Sequence, residues 1–215
     1  MPTYRRDGQE DAPIHSSLGI LIESLLLTLS TLYLSIHFQR ATLWFFVPLL
    51  FLLVRKERIE EYGLSLHFIP PSYTCHLVLG IAAFFIYTLS HFLAVYFLFD
   101  RQLTFQMPEN LLSLLFFQFF AIAIPEEFFF RGYLQTRLNQ VFGTPYRVLG
   151  ALVGSGLLLQ AVVFAVCHLT VGDWTQLRVF FFALLAGWLR ERNGSILAPA
   201  VYHTLGNVWV AALYP

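Results

Sequence analysis

"AIAIPEEFFFRGY", residues 121–133, places two adjacent carboxylates and an arginine inside a long apolar run. A charged side chain at bilayer depth costs at least about 2.5–3.5 kcal/mol, so three such groups need partners or a purpose. Glu127 and Arg131 are four apart, share a helix face and can pair. Glu126 lies about 100° round the helix and is left over. The spacing predicts a structural Glu127–Arg131 pair beside a free, working Glu126. The same residues also admit a plainer arrangement, with all three charges at a water-exposed helix end.

The surroundings of this stretch set the class of protein. Of 215 residues, 57% are hydrophobic and only 12% charged, and the mean hydropathy is +0.65. An ordinary soluble domain carries about 25% charged residues. The formal net charge is zero, which leaves no basic surface for nucleic acid. Cys75 and Cys167 lie in apolar runs without metal-ligand spacing and read as buried thiols. Residues 1–17, "MPTYRRDGQEDAPIHSS", form a polar tail, and no A-x-A cleavage site follows the first apolar run, which therefore reads as a retained span.

Apolar runs long enough to cross a bilayer predict about seven spans: 17–37, 41–54, 73–99, 110–142, 147–169, 174–191 and 195–213. The second is short, contains Pro48 and reads equally as re-entrant. "RKERIEEYGLSLHFIPP", residues 55–71, has an interfacial or loop character. "GTPY", residues 143–146, is a turn signal. Asp173 and Gln176 resemble a capping box, and "RNG", residues 192–194, breaks the chain. No alternation of a membrane barrel is present, so strands are not expected. The expected fold is an all-α, polytopic transmembrane helix bundle: spans one to three within 18–109, and a catalytic core at 110–215.

Two histidines are placed to work with Glu126. His168 ends the fifth run in "FAVCHL", and His203 lies in "PAVYHTLGN" with Asn207 one helical turn on. His37, His67, His76 and His91 read as core histidines, and His15 as solvated. Glu126 and His168 lie about 17 and 22 residues from the 143–146 turn, so they fall within about 8 Å in depth. His203 falls somewhat nearer the turn, a mismatch that helix tilt absorbs. Glu126, His168, His203 and Asn207 then converge in one wet cavity. A carboxylate and a neutral imidazole can deprotonate a water. Imidazole and carboxamide N–H groups can stabilise an oxyanion.

Other hydrolytic signatures are missing. No H-E-x-x-H occurs, the nearest text to Gly-x-Gly-Asp is "TVGD", and Ser155 in "LVGSGL" lacks the first glycine of Gly-x-Ser-Gly. Ser155 with Gly150, Gly154 and Gly156 reads as a small-residue packing site. Three alternatives stay open: a non-catalytic immunity or partner protein, a zinc hydrolase using Glu126, His168 and His203, and a transporter with buried charges on an ion path.

"EEFFFR" fits E-E-x-x-x-R, "FAVCH" fits F-x-x-x-H, and "HTLGN" fits H-x-x-x-N. Three motifs in this order on successive apolar runs resemble the CPBP family of CAAX-processing and bacteriocin-processing proteins, over about residues 110–210. The resemblance implies a glutamic-type intramembrane endopeptidase without metal or cofactor. By motif position Glu126 activates water, His168 holds it, and His203 with Asn207 forms the oxyanion site. Glu127, Arg131 and Phe164 support them. The implied partners are the lipid bilayer and a membrane-anchored protein or peptide substrate. In bacteria the resemblance points to C-terminal sorting, maturation or self-immunity; in eukaryotes, to prenylated CAAX tails. Seven spans would put ten of the 13 Lys and Arg on the side of the N-terminus and three, Arg40, Arg101 and Arg178, on the other. That predicts a cytoplasmic N-terminus in a bacterial plasma membrane and a site nearer the non-cytoplasmic face.

Overall fold

The computed structural model describes residues 14–64, 73–98, 105–172 and 174–213. His67, Arg101, Asp173 and residues 1–13 of the polar tail lie outside them, as do the side chains of His15, Cys75, His76 and His91; the last four residues of the tail, 14–17, open α1 instead. Seven helices are present among the described residues: α1 Ile14–Phe38, α2 Leu43–Val54, α3 Tyr73–Leu98, α4 Leu111–Phe142, α5 Ser155–His168, α6 Val179–Asn193 and α7 Leu197–Leu213. Ser17–Phe38 and α4 are long and apolar enough to cross a bilayer. α2 has 12 residues and includes Pro48, about 18 Å of helix against a hydrocarbon core of about 30 Å.

The expectation of no strands is corrected. Residues 146–153, assigned from the sequence to the turn and to the start of a span, form an antiparallel hairpin of β1 Tyr146–Val148 and β2 Ala151–Val153. Leu149 and Gly150 both have positive φ, the backbone of a tight two-residue hairpin turn. The Trp188 indole N–H donates to the Val148 carbonyl at 2.9 Å and fixes the hairpin to α6. The hairpin shortens the fifth span, because α5 begins only at Ser155 and has 14 residues. The sixth is shortened likewise: Trp174–Arg178 is a 3-10 turn and α6 follows it. The break at 192–194 is present, with Gly194 left-handed at the end of α6. His37, expected in the core, is instead exposed near the end of α1 with its ring stacked on Tyr33.

α4 is continuous but not uniform. Gln118–Ala123 and Phe128–Leu134 are π-type, with one α turn, Ile124–Glu127, between them. Pro125 has no N–H to offer residue 121 and its ring crowds that carbonyl, so the wider turn before it relieves the ladder. π-type turns of this kind cluster at functional sites.

The packing is inverted relative to a water-soluble protein. Leu25, Leu29 and Tyr33 on α1, Phe85 and Ile86 on α3, and Leu112 and Phe120 on α4 are exposed. Glu127, Arg131, Gln135 and Gln160 are fully buried. An apolar exterior of this extent fits lipid, and the chain is a membrane protein. Within it, Phe128, Phe129 and Phe130 pack on Phe45, Trp44 and Phe164 with ring centroids 4.6–4.9 Å apart. In lipid, such contacts hold helices together by dispersion, since no water is expelled.

One end of the bundle is polar. Glu23 of α1 pairs with Arg55 at 3.0 Å and Arg137 at 3.3 Å, and Glu57 accepts from Arg137 at 2.6 Å. Arg55 and Tyr62 also donate to Glu57. Burial alone would raise the Glu57 carboxyl, but these donors and the Arg137 charge hold it below its ordinary value. Glu191 accepts from Gln135 at 2.7 Å and Asn139 at 2.9 Å, joining α6 to α4. Nothing in the sequence reading had singled out Glu23; a lone carboxylate in the first apolar run was the available signal.

Candidate active site

The predicted side chains come from four segments. Glu126 and Glu127 lie on the α turn of α4, Arg131 on its second π segment, Phe164 and His168 on the last turns of α5, and His203 and Asn207 on α7. α7 packs against both the first π segment and the α turn of α4, which brings residues 76 apart in sequence into contact.

Glu127 is the hub. Its Oε1 lies 3.1 Å from Arg131 Nη1 and 2.8 Å from His203 Nδ1. Glu127 and Arg131 side chains are both 0% exposed. No guanidinium nitrogen of Arg131 makes an aligned hydrogen bond, so the pair is held by charge. Arg131 also sits over the Phe164 ring, 4.2 Å from its centroid, and 5.8 Å from that of Phe182. A cation over a desolvated ring face gains about 2 kcal/mol.

Glu126 differs from its neighbour. Its side chain is 13% exposed and its Oε2 stands 3.8 Å from His203 Nε2; that oxygen, like Glu127 Oε2, has no hydrogen-bond partner. His203 therefore has one carboxylate beyond each ring nitrogen. A carboxylate oxygen only accepts, so Nδ1 of His203 carries a proton towards Glu127. His168 Nδ1 meets the Phe164 carbonyl at 2.9 Å, and the same logic protonates it. In the neutral ring, His168 Nε2 is then a free base. The Phe164 ring packs tilted at 48° against His168 with centroids 4.3 Å apart and limits that ring's rotation.

Two cavities meet at His168. One, of about 330 Å³, is lined by Gln118, Phe164, His168, Arg178, His203 and Asn207 among others. The other, of about 340 Å³, lies towards α1 and α2 and includes Glu126, Phe130, Cys167, His168 and Thr170 in its wall. Asn207 lines the first cavity and Glu126 the second; His168 belongs to both walls, and Glu126 Oε2 is 3.8 Å from His203 Nε2 in the wall of the first. Cys167 is buried and free, as its apolar setting predicts. Gly156 closes the α4–α5 contact: a Cβ there would stand 2.4 Å from Asn139 Oδ1.

Gln118 was not foreseen. Its Oε1 accepts from Asn207 Nδ2 at 2.9 Å and orients that carboxamide. The available signal was a single glutamine in an apolar run, eight residues before Glu126. Among the described residues no three His, Cys, Asp or Glu side chains converge as a metal-ligand set.

Residues 108–209 match the family model described as "Type II CAAX prenyl endopeptidase Rce1-like". The match contains every residue of the site and excludes α1 to α3. No curated protein and no solved structure matches the chain.

Proposed function

From an Rce1-like, CAAX-protease segment at residues 108–209, we propose a glutamic-type intramembrane endopeptidase that cuts a membrane-anchored protein or peptide. The observation that carries this reading is the asymmetry of the two glutamates. Glu127 is 0% exposed with its Oε1 engaged by both Arg131 and His203, whereas Glu126 is 13% exposed, makes no ion pair with Arg131 and lines the cavity that His168 shares.

The chemistry follows from that asymmetry. A water between Glu126 Oε2 and His168 Nε2 gives up a proton as its oxygen attacks the scissile carbonyl carbon. The carbonyl carbon meets that water beside His168, where the two cavities adjoin, with its oxygen towards Asn207. One Asn207 N–H is spent on Gln118, and the second is free to donate to the oxyanion. His203 Nε2 becomes the second donor only in the doubly protonated ring, because Nδ1–H is already directed at Glu127. Two carboxylates and two cations, Glu126, Glu127, Arg131 and His203, then make a neutral buried set. The proton taken from water passes to the leaving amine nitrogen as the C–N bond breaks. Low dielectric around the site strengthens each of these hydrogen bonds.

The polar end of the bundle, with Arg55, Arg137 and Arg190, supports a cytoplasmic assignment for the N-terminus and the 143–146 turn. The site then opens nearer the opposite face, which suits a bacterial enzyme trimming an exported, membrane-anchored tail. Mass spectrometry of membranes with and without the chain tests the function. A truncated membrane protein that appears only with the active chain is expected; identical inventories at matched expression contradict it.

A further inference from the structure

Arg178 has no ion-pair partner among the described residues. It stands at the junction of the 3-10 turn and α6, the positive end of a 15-residue helix, where a cation is disfavoured. It is half-buried in a chain with few charges. Its Nη1 donates to the Thr175 carbonyl at 2.8 Å and Thr175 Oγ1 at 3.0 Å. Arg55, Arg131 and Arg137 all have ion-pair partners. On the proposed orientation Arg178 is also one of the three basic residues on the sparsely charged side, so it serves no orientation signal.

Its position supplies a purpose. Arg178 lines the same cavity as His168, His203 and Asn207, and among the described residues no other Lys, Arg, Asp or Glu lines it. A carbonyl bound against Asn207 therefore has the Arg178 guanidinium within its own enclosure, in addition to His203 in its doubly protonated form. The guanidinium fork matches a carboxylate in geometry, and Nε and Nη2 remain available to form it. We propose that Arg178 is a specificity-determining residue that binds a carboxylate of the peptide substrate, borne by an acidic side chain or by a free C-terminus.

This inference rests on the peptidase reading, so its test reads binding and not turnover. The probes are three N-terminally palmitoylated decapeptides of otherwise identical apolar sequence. One ends in a carboxylate, one in an amide with a single Asp, and one in an amide with no acidic group. Binding is measured by thermophoresis to Glu126→Gln protein in nanodiscs of neutral phosphatidylcholine, and to the same protein carrying Arg178→Gln or Arg178→Lys. At least one acidic peptide is expected to bind about tenfold more tightly than the neutral one, as a charge-assisted contact gives. Arg178→Gln should abolish that preference, and Arg178→Lys, which retains the charge, should keep part of it. Which acidic peptide wins identifies the source of the carboxylate. Equal binding of all three peptides by the Glu126→Gln protein overturns the proposal. So does a preference that survives Arg178→Gln. An Arg178→Gln defect that is equal for all peptides, and present only when anionic lipid is added, overturns it in favour of a headgroup contact. Cleavage of the same peptides by the wild-type protein reports on the peptidase reading alone.

Discussion

Replacing Glu127 by glutamine keeps the size and polarity of the side chain but removes the charge that faces Arg131. Arg131 is 0% exposed and its guanidinium nitrogens have no aligned hydrogen bond, so no other group in reach takes over fully. Its contact with Phe164 is present before and after the change and offsets nothing. Breaking a buried pair by removing one partner costs about 3–5 kcal/mol. That is roughly a 150- to 4,000-fold fall in the folded-to-unfolded ratio. Arg131→Met should cost less, because Glu127 keeps the His203 N–H at 2.8 Å. The double variant, without either charge, should lose less than the sum of the two singles by about 2 kcal/mol or more. Equilibrium unfolding in dodecylmaltoside micelles titrated with dodecyl sulfate gives all three values. Losses that add to within about 0.5 kcal/mol would refute the pairing argument.

Other consequences concern charge, metal and orientation. Glu57 has its folded-state pKa held below the ordinary carboxylate value of about 4.3. Its stabilisation is therefore fully present above that value and is lost as pH falls through the folded pKa. Unfolding of wild-type and Glu57→Gln protein from pH 7 downward should show a gap that closes only in acid; a gap constant to pH 3 contradicts this. Purified protein is expected to contain no stoichiometric zinc, since His203 has a carboxylate beyond each nitrogen and Asn207 is a better donor than ligand. One zinc per chain, with activity lost on chelation and restored by the metal, would replace the mechanism with a metal-assisted one. Alkaline phosphatase fused after Tyr214 should be active, reporting an external C-terminus; an inactive fusion beside an active cytoplasmic reporter reverses the orientation.

Local rules reached part of this architecture. The Glu127–Arg131 contact follows from i,i+4 geometry within one helix, and the break at Gly194 from its backbone freedom. Composition identified the membrane class because lipid demands an apolar exterior whatever the fold. What escaped the sequence was non-local or irregular. The His203–Glu127 bond spans 76 residues, and no spacing encodes it. The π segments of α4 change the residues per turn, so a 3.6-residue wheel carried across them puts Gln118 and Glu126 at the wrong relative angle. The hairpin at 146–153 was hidden because its apolar residues continued the pattern of the helix after it.

The measurement that bears most directly on the mechanism is turnover of purified Glu126→Gln protein on a substrate identified from membranes. Glu126 makes no ion pair with Arg131 and has a partly exposed side chain, so the variant should insert, accumulate and unfold like wild type. Removing a general base costs about 10²- to 10⁴-fold. The account predicts a loss of at least that size in kcat with little change in KM. A well-folded Glu126→Gln protein with undiminished turnover would contradict it.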